Sequence, residues 1–473
     1  IRFHLTTPLK WVICNQSLRN QIEKKKGKTM ASDNSIADTV WSSRLGFILA
    51  SASSAIGLGA IWKFPFWAGT NGGAAFIVPF LVFTFTIGIV LVMAECAMGR
   101  AGRGSAVHAL KKVGGPFFGI VGGIAVLNAY IILTYYSVIG GWCVSYLFDS
   151  FAGNVVNGDP KILSDHFKAL VGNGTVNVFF MFLYLTATCA VVALGVEKGI
   201  EKIAKYLMPL LFILMIFIII RSLMMPGSWE GMQFLFSFNW EQVSGATILN
   251  AMGFTFFSLS LGAGIMVTYG SYLSSHTDIP GSSVWVAFLS TQAALLAGVM
   301  IIPAVFAFGM DPAAGTGLVF ITIPMIFEHM PMADVLAAAF YVCLFIAAIT
   351  SSVSLLEVVV AYLINEWGMR RRAATALCWI TLFIFASLQA LSFSSFSWVE
   401  INGMSLFDFS DYVCSNILMP LGGLSIAALA GWKAWPVMKQ QMLAIRHHSV
   451  LTIGWIRLTI SLLAPALVVI VLI

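Results

Sequence analysis

Two stretches of the 473-residue chain decide its fold. The first reads Ser53-Ser54-Ala55-Ile56-Gly57-Leu58-Gly59-Ala60, and the second reads Ser258-Leu259-Ser260-Leu261-Gly262-Ala263-Gly264. Each lies within a long apolar run, where paired glycines beside serines favour local unwinding of a helix. Unwound backbone inside a membrane is tolerated only where it lines a cavity or binds a ligand. Both stretches therefore predict helices that are broken around a binding site.

The composition around these stretches is typical of a membrane protein. Apolar residues make up 59% of the chain and charged residues only 10%, and the mean hydropathy is +0.91. A soluble domain carries about 25% charged residues, so this sequence excludes a soluble globular protein, a disordered chain and a nucleic-acid-binding protein. The scattered cysteines disfavour zinc and iron–sulfur sites. No HExxH motif or Cys–His constellation in the sequence supports an enzyme.

Apolar runs of about 20 residues or more predict an all-α polytopic membrane protein. The sequence contains eleven such runs. They cover residues 45–68, 75–98, 117–148, 176–194, 203–225, 245–273, 283–309, 333–364, 373–393, 411–432 and 451–473. Residues 149–175 are expected to form a polar loop, and residues 311–331 a short helical hairpin on the surface.

Positive charge predicts the orientation of the spans. With a cytoplasmic amino terminus, the loops on that side hold thirteen Lys and Arg residues, against three on the other side. The amino terminus is therefore predicted to be cytoplasmic and, after eleven spans, the carboxyl terminus external. Met30 resembles an ordinary start, so we expect residues 1–29 to be a start-site error.

The two broken spans, the first and the sixth, are five spans apart. Because five is odd, two blocks of five spans would have opposite orientations, which indicates an inverted-repeat secondary transporter. Close packing of glycines between helices is the alternative explanation of each break. The predicted domains are a cytoplasmic segment 1–40, a first repeat 41–225 with helices 1–5, a second repeat 226–432 with helices 6–10, and a linker with helix 11 at 433–473.

Several sequence blocks resemble the neurotransmitter:sodium symporter family, especially its bacterial amino-acid transporters. The blocks are Trp41-Ser-Ser-Arg44-Leu-Gly-Phe, Gly57-Leu-Gly59-Ala-Ile-Trp-Lys63-Phe-Pro65, Asn71-Gly72-Gly73, Glu95-Cys-Ala-Met-Gly99-Arg100, Tyr135-Tyr136, Phe256-Phe257-Ser258-Leu-Ser260-Leu-Gly262 and Thr350-Ser351-Ser352. The resemblance implies the LeuT-like fold, a 5+5 inverted repeat with one extra helix. It also implies a multi-pass protein of the bacterial plasma membrane that carries a small substrate with sodium by alternating access. A non-transporting amino-acid sensor or regulatory subunit on the same fold is the alternative, and the sequence specifies no oligomeric state.

The resemblance implies a substrate site between the broken helices. Its residues would be Ala55, Gly57, Leu58, Gly59, Ile132, Tyr136, Phe257, Ser258, Ser260, Ala263, Ser351 and Leu355. The amides of Leu58 and Gly59 and the hydroxyl of Tyr136 would bind a substrate carboxylate. Gly57 stands where family members that carry amines have an aspartate, and the implied pocket has no charge. These features predict a neutral, apolar or aromatic L-amino acid.

The second sodium site of the family carries over by resemblance. It would use the carbonyls of Ser53, Ile56 and Ala347 and the hydroxyls of Thr350 and Ser351. A Thr-Ser-Ser run in an apolar helix otherwise indicates hydroxyls bonded to the preceding helical turn. This site would join the first and eighth spans, so that sodium would bias the conformational equilibrium.

The first sodium site and the chloride site depart from the family pattern. Ala55, Ser258 and Ser290 remain for sodium, with Thr291 as the fallback for Ser290, but Ala60 replaces a side-chain amide. The two positions at which chloride-dependent relatives use a tyrosine and a glutamine are Phe80 and Phe254. We therefore expect a weak or absent first sodium site and no chloride requirement.

Charged and aromatic residues predict two gates. Lys63 would pair across the outer vestibule with Asp411 or, as the other candidate, Asp408, and Phe257 would cover the substrate site.

At the inner end, Trp41 and Tyr272 match the family's latch residues. Asp38, however, replaces the arginine of that latch, and we expect it to pair with Arg44 or Arg370.

Overall fold

The computed structural model describes residues 39–156, 159–310, 318–445 and 449–472. In these ranges the chain forms a helical bundle with one small β-hairpin, Glu400–Ile401 and Met404–Ser405. Nine of the described helices are long and apolar enough to cross a membrane, and one bent pair forms a tenth candidate span. The helices are α1 (Arg44–Ala55), α2 (Gly59–Thr70), α3 (Ala74–Gly102), α4 (Ala106–Gly114), α5 (Pro116–Phe151), α6 (Pro160–Gly172), α7 (Gly174–Ala193), α8 (Val196–Leu223), α9 (Ser228–Phe236), α10 (Gly245–Ser258), α11 (Ile265–Ser271), α12 (Ile279–Ala307), α13 (Val319–Glu328), α14 (Ala333–Trp367), α15 (Arg371–Leu391), α16 (Leu406–Lys433), α17 (Trp435–Met442) and α18 (Val450–Ile470).

The first predicted break is confirmed. Helices α1 and α2 meet at a bend of 51°, at residues 56–58. Gly57 lies in this bend, and a Cβ atom added there would lie 2.7 Å from the Ser351 hydroxyl oxygen. Only glycine lets the backbone pass this close to helix α14.

The second predicted break is confirmed as well. Helices α10 and α11 are separated by residues 259–264, so the sixth predicted span consists of two short helices rather than one long one. Ser260, Gly262 and Gly264 all have positive φ, at 53°, 78° and 75°. This backbone conformation cannot continue a right-handed helix, and glycine adopts it at little cost.

The two longest helices, α5 and α14, pack along each other in the middle of the bundle. Helix α14 is the most buried of the membrane-spanning helices, at 89% of its most apolar window, whereas α8 is 28% buried there. A helix that is apolar all round and enclosed on every side belongs to the interior of such a protein. Both central helices run past the broken pairs, so they supply the side chains that face the breaks.

The connections differ from the expected loops in one place. Residues 149–175 contain helix α6 rather than only a polar loop, because the Asp159 side chain caps its start and Pro160 occupies its first turn. In the region 311–331, the described residues form helix α13, and residues 311–317 lie outside the described part.

The second break predicts that two glycines of the same predicted span differ strongly in how much their replacement by alanine destabilises the fold. A Cβ atom at Gly262 would overlap the Met419 carbonyl, and the positive φ would strain any other residue. We expect Gly262→Ala to destabilise the fold by about 2 kcal/mol or more. Gly253→Ala is the matched control, because Gly253 lies in α10 with open space around it. Thermal unfolding in detergent measures both, and equal melting temperatures for the two variants would contradict the packing of this break.

Candidate functional site

A cavity lies between the two breaks and has a volume of about 720 Å³, part of which is open to solvent. Eleven of the twelve residues predicted for the substrate line it; Ser258 is not among them. The eleven are Ala55, Gly57, Leu58, Gly59, Ile132, Tyr136, Phe257, Ser260, Ala263, Ser351 and Leu355. Helices α1, α2, α5 and α14 and the unwound residues 259–264 therefore bring together side chains that are far apart in the sequence.

Polar groups for a carboxylate meet at one side of the cavity. The Leu58 backbone N–H donates a hydrogen bond of 3.0 Å to the Tyr136 hydroxyl oxygen. A Cβ atom at Gly57 would come within 2.8 Å of the same hydroxyl. A side chain at position 57 would therefore displace the Ser351 and Tyr136 side chains. With glycine there, the two donors of this corner lie beside an uncharged bend of the backbone.

The rest of the cavity wall is mainly apolar. Ile132, Leu355 and Ala263 line it at the predicted positions, and Phe257 lies half-buried over it. Ile139 and Met419 also line the cavity, although the sequence did not predict them for the substrate site. Ile139 lies seven residues, about two helical turns, beyond Ile132 on α5, so helical periodicity could have found it. Such a wall suits an apolar or aromatic group of modest size.

Oxygen atoms for a cation converge between α1 and α14. The Thr350 hydroxyl donates its shortest hydrogen bond, of 2.9 Å, to the Ile346 carbonyl in the preceding helical turn. It also lies 3.4 Å from the Ser53 carbonyl and 3.3 Å from the Ala347 carbonyl. The Ser351 hydroxyl bonds the Ser54 carbonyl at 3.0 Å rather than the Ser53 carbonyl. Carbonyl and hydroxyl oxygens without a carboxylate suit a monovalent hard cation, so these residues fit sodium. Ile56, the fifth predicted residue, lies buried at the bend of the same helix.

A smaller group of oxygens lies at the second break. The Ser290 hydroxyl of α12 donates to the Ser258 carbonyl at 2.8 Å. Thr291, the fallback residue, has a buried hydroxyl without a hydrogen-bond partner among the described residues. The structure thus brings Ser290, and not Thr291, to Ser258. Ala60 lies buried on α2 and offers no side-chain oxygen.

An aromatic cluster replaces polar groups beside this break. The rings of Phe80 and Phe254 lie 5.3 Å apart, and Phe64 and Phe76 pack against both. All four rings are buried. Phenyl groups carry no N–H or O–H donor for an anion, so this cluster cannot hold chloride by hydrogen bonds.

An ion pair covers one end of the cavity. The Lys63 ammonium lies 3.2 Å and 3.3 Å from the two carboxylate oxygens of Asp411, and 4.3 Å from the centre of the Phe257 ring. Asp408, the other candidate, instead bonds Ser405 at the start of α16. The structure therefore places Asp411 opposite Lys63 and uses Asp408 as part of a helix cap.

The other end of the bundle, where α1 begins, is closed by aromatic packing. The Trp41 indole N–H donates to the Tyr269 carbonyl at 2.9 Å, and the Trp41 backbone N–H donates to the Tyr272 carbonyl at 3.2 Å. Asp38 lies outside the described residues. Arg44, one of its expected partners, contacts Asp278 at 3.6 Å.

A buried charge pair between Glu357 and Arg371 supports this end. The Tyr272 hydroxyl donates to Glu357 at 2.6 Å, and the Arg371 guanidinium contacts both carboxylate oxygens of Glu357, at 2.6 Å and 2.9 Å. Glu357 is fully buried, so its carboxylate needs such a partner. Arg371 stands in the run Arg370-Arg371-Arg372, whose consecutive positive charges are typical of a loop, although its side chain points into the protein.

Glu95 supports the second break in the same way. Its carboxylate is fully buried on α3 and accepts a hydrogen bond of 2.8 Å from the Gly262 backbone N–H. That N–H has no helical partner, because the chain is unwound there. Glu95 therefore holds the backbone of the unwound segment.

Comparisons with known proteins agree with this architecture. The chain matches the sodium:neurotransmitter symporter family over residues 38–159 and 161–473. It is 36% identical over 406 residues to the "uncharacterized sodium-dependent transporter YhdH" of Bacillus subtilis, covering 85% of this chain and 89% of that protein. A sodium-dependent transporter of Haemophilus influenzae is 34% identical, covering 90% and 95% of the two chains.

A solved structure extends the likeness to three dimensions. The crystal structure of MhsT in complex with L-phenylalanine superposes with a TM-score of 0.85 at 38% identity, covering 92% of this chain and 98% of MhsT. The broken helices, the cavity between them and the matched sequence lead to one conclusion. The chain belongs to the sodium:neurotransmitter symporter family and is a multi-pass, sodium-dependent membrane transporter of LeuT-like fold, not an enzyme.

Proposed function

We propose that this transporter carries neutral L-amino acids with apolar or aromatic side chains, together with sodium, by alternating access. The observation that carries the proposal is the corner formed by the Leu58 amide and the Tyr136 hydroxyl at Gly57, in a wall that is mainly apolar. The corner supplies donors to a carboxylate, and the wall takes an uncharged side chain. The L-phenylalanine bound to MhsT supports the same substrate class.

The unwound backbone would bind both ends of the amino-acid group. The Leu58 and Gly59 amides lie at the start of α2, where the helix dipole favours an anion. The carbonyls of Ala55, Phe257 and Ser260 are the acceptors proposed for the ammonium group. Since neither set carries a net charge, a zwitterion suits the site better than an amine alone.

Coupling to sodium would act mainly through the second site. Its proposed ligands are Ser53 on α1, Ile56 directly after α1, and Ala347, Thr350 and Ser351 on α14. They join two helices, so a bound cation would hold them together. The proposed first site keeps Ala55, Ser258 and Ser290. It lacks a side-chain amide or carboxylate, which supports a weaker second ion or none. The Phe80–Phe254 cluster supports transport without chloride.

The gates would alternate between the two ends of the bundle. We infer that Lys63, Asp411 and Phe257 close the external end, and that Trp41 and Tyr272 close the cytoplasmic end. The orientation rests on the excess of Lys and Arg in the loops on the amino-terminal side. This excess supports a cytoplasmic amino terminus, and the bacterial relatives support a bacterial plasma membrane as the location.

The substrate assignment predicts the effect of removing one hydroxyl. Tyr136→Phe should weaken binding of L-phenylalanine about ten- to hundredfold, since a hydrogen bond to a charged acceptor is worth about 1.5–3 kcal/mol. Tyr130→Phe is the control, because Tyr130 lies on the same helix but faces Phe385. Scintillation proximity binding with labelled L-phenylalanine measures both. An unchanged affinity of the Tyr136 variant for L-phenylalanine would refute the assignment. So would binding of phenylethylamine, which lacks the carboxylate, to the wild-type protein as tightly as L-phenylalanine.

The ion assignment predicts the effect of removing a proposed sodium ligand. Thr350→Ala should raise the sodium concentration for half-maximal binding about tenfold or more, a loss of about 1.4 kcal/mol. Ser352→Ala is the control, because its hydroxyl contacts Thr188 on the other side of α14. Sodium titrations of the wild type should give a Hill coefficient of about one without chloride. A coefficient of about two with the wild type, or a strict chloride requirement, would show that the first site has been misread.

The external gate predicts a contrast between two aspartates one helical turn apart. Asp411→Asn should slow uptake about fivefold, the factor that corresponds to about 1 kcal/mol for a partly exposed ion pair. Asp408→Asn should leave uptake unchanged. Sodium binding should be the same in both variants, because neither carboxylate lies at the proposed sodium ligands. Slow uptake in the Asp408 variant with normal uptake in the Asp411 variant would reverse the assignment of the gate.

A further inference from the structure

Glu201, a buried residue of helix α8, binds the residues directly before helix α1 through its carboxylate. Both oxygens of Glu201 accept hydrogen bonds from these residues: Oε2 from the Ser42 backbone N–H at 2.9 Å, and Oε1 from the Ser42 and Ser43 hydroxyls at 2.5 Å and 3.0 Å. Lys205, one turn further along α8, lies 2.9 Å from Oε1. Only 1% of the Glu201 side chain is exposed.

This carboxylate organises the cap of α1. The Ser43 hydroxyl that donates to Glu201 also accepts the Gly46 backbone N–H at 3.0 Å and so caps the helix. A negative charge at a helix start is favoured by the helix dipole. The helix is shaped to receive it, since a Cβ atom at Gly46 would overlap the Glu201 carboxylate.

Glu201 occupies a special place on its own helix. It ends the π-helical turn Val196–Glu201 that opens α8, directly after Gly195, whose φ is 92°. π-Helical turns are rare and less favourable than α-helix. The carboxylate that holds the start of α1 therefore belongs to a short irregular turn rather than to the regular part of α8.

Helix α1 connects the residues bound by Glu201 to the cavity. Ser43 and Ser53 lie about 15 Å apart along one uninterrupted helix, which moves as a unit. Movement of its start away from α8 would carry the Ser53 carbonyl away from Thr350. The Trp41 and Arg44 contacts hold α1 to α11 and to the start of α12, so Glu201 supplies the hold on a third neighbour.

We propose that Glu201 is a positioning residue that holds the start of α1 against α8 and sets how readily the amino-terminal end of the bundle opens. It takes no part in binding the substrate. The inference goes beyond the proposed function and does not depend on which substrate is carried.

The test is hydrogen–deuterium exchange of the full chain in detergent, in potassium buffer without substrate. Glu201→Gln keeps the shape of the side chain but loses the charge and one acceptor. It should speed exchange at the start of α1 about tenfold, because hydrogen bonds to charged groups are the stronger ones. Exchange in α2, at the opposite end, should stay unchanged. Glu197→Gln is the matched control, since Glu197 lies in the same π-helical turn with its side chain exposed.

A second variant keeps the inference testable if Glu201→Gln does not fold. Gly46→Ala leaves the carboxylate in the chain but displaces it, and it should speed exchange at the start of α1 although alanine is the better helix former. Wild-type exchange at the start of α1 in both variants would overturn the inference. Faster exchange at both ends of the bundle would also overturn it, because Glu201 would then be a general support of the fold.

Discussion

The whole arrangement depends on the backbone groups that are freed where two helices break inside the bundle. A buried N–H or C=O without a partner costs several kcal/mol, about 2–7 by transfer measurements, and a bilayer offers no water to relieve it. Side chains from other helices meet this need: Tyr136 for the Leu58 N–H, Glu95 for the Gly262 N–H and Ser290 for the Ser258 carbonyl. Such partners can be exchanged for a ligand at little net cost, which is why a broken helix makes a binding site that can also release.

The breaks themselves are predictable from the sequence, because their geometry restricts which residues are allowed. Gly262 lies against the backbone of α16 with positive φ, a conformation that leaves glycine as the residue of choice. The choice between Asp408 and Asp411 is not predictable in this way. The two lie three residues apart on one face of a helix, so either could face Lys63 by spacing alone. The two aspartates differ in that Asp408 accepts a hydrogen bond from Ser405 in the helix cap. This bond depends on the residue at which α16 begins.

Partners of buried charges are also hidden from the sequence. Arg371 stands among three consecutive arginines that are typical of a loop. The packing of α15 against α14 nevertheless brings its guanidinium to Glu357, fourteen residues earlier. Glu201 lies in a charged stretch that resembles a solvated helix start, but its side chain is buried and accepts hydrogen bonds from Ser42 and Ser43. In both cases the burial of a charged group comes from tertiary packing, which local patterns do not record. Both contacts are at the amino-terminal end of the bundle, whereas the Lys63–Asp411 pair at the other end is partly exposed.

We propose that the cavity between the breaks couples sodium to the movement of a neutral amino acid. The most direct measurement is uptake of labelled L-phenylalanine into proteoliposomes that contain the purified chain, with a sodium gradient directed inward and with potassium in its place. The account predicts accumulation above the external concentration with the sodium gradient, and none with potassium. Binding of L-phenylalanine without accumulation under any sodium gradient would contradict the claim and would favour a sensor on the same fold.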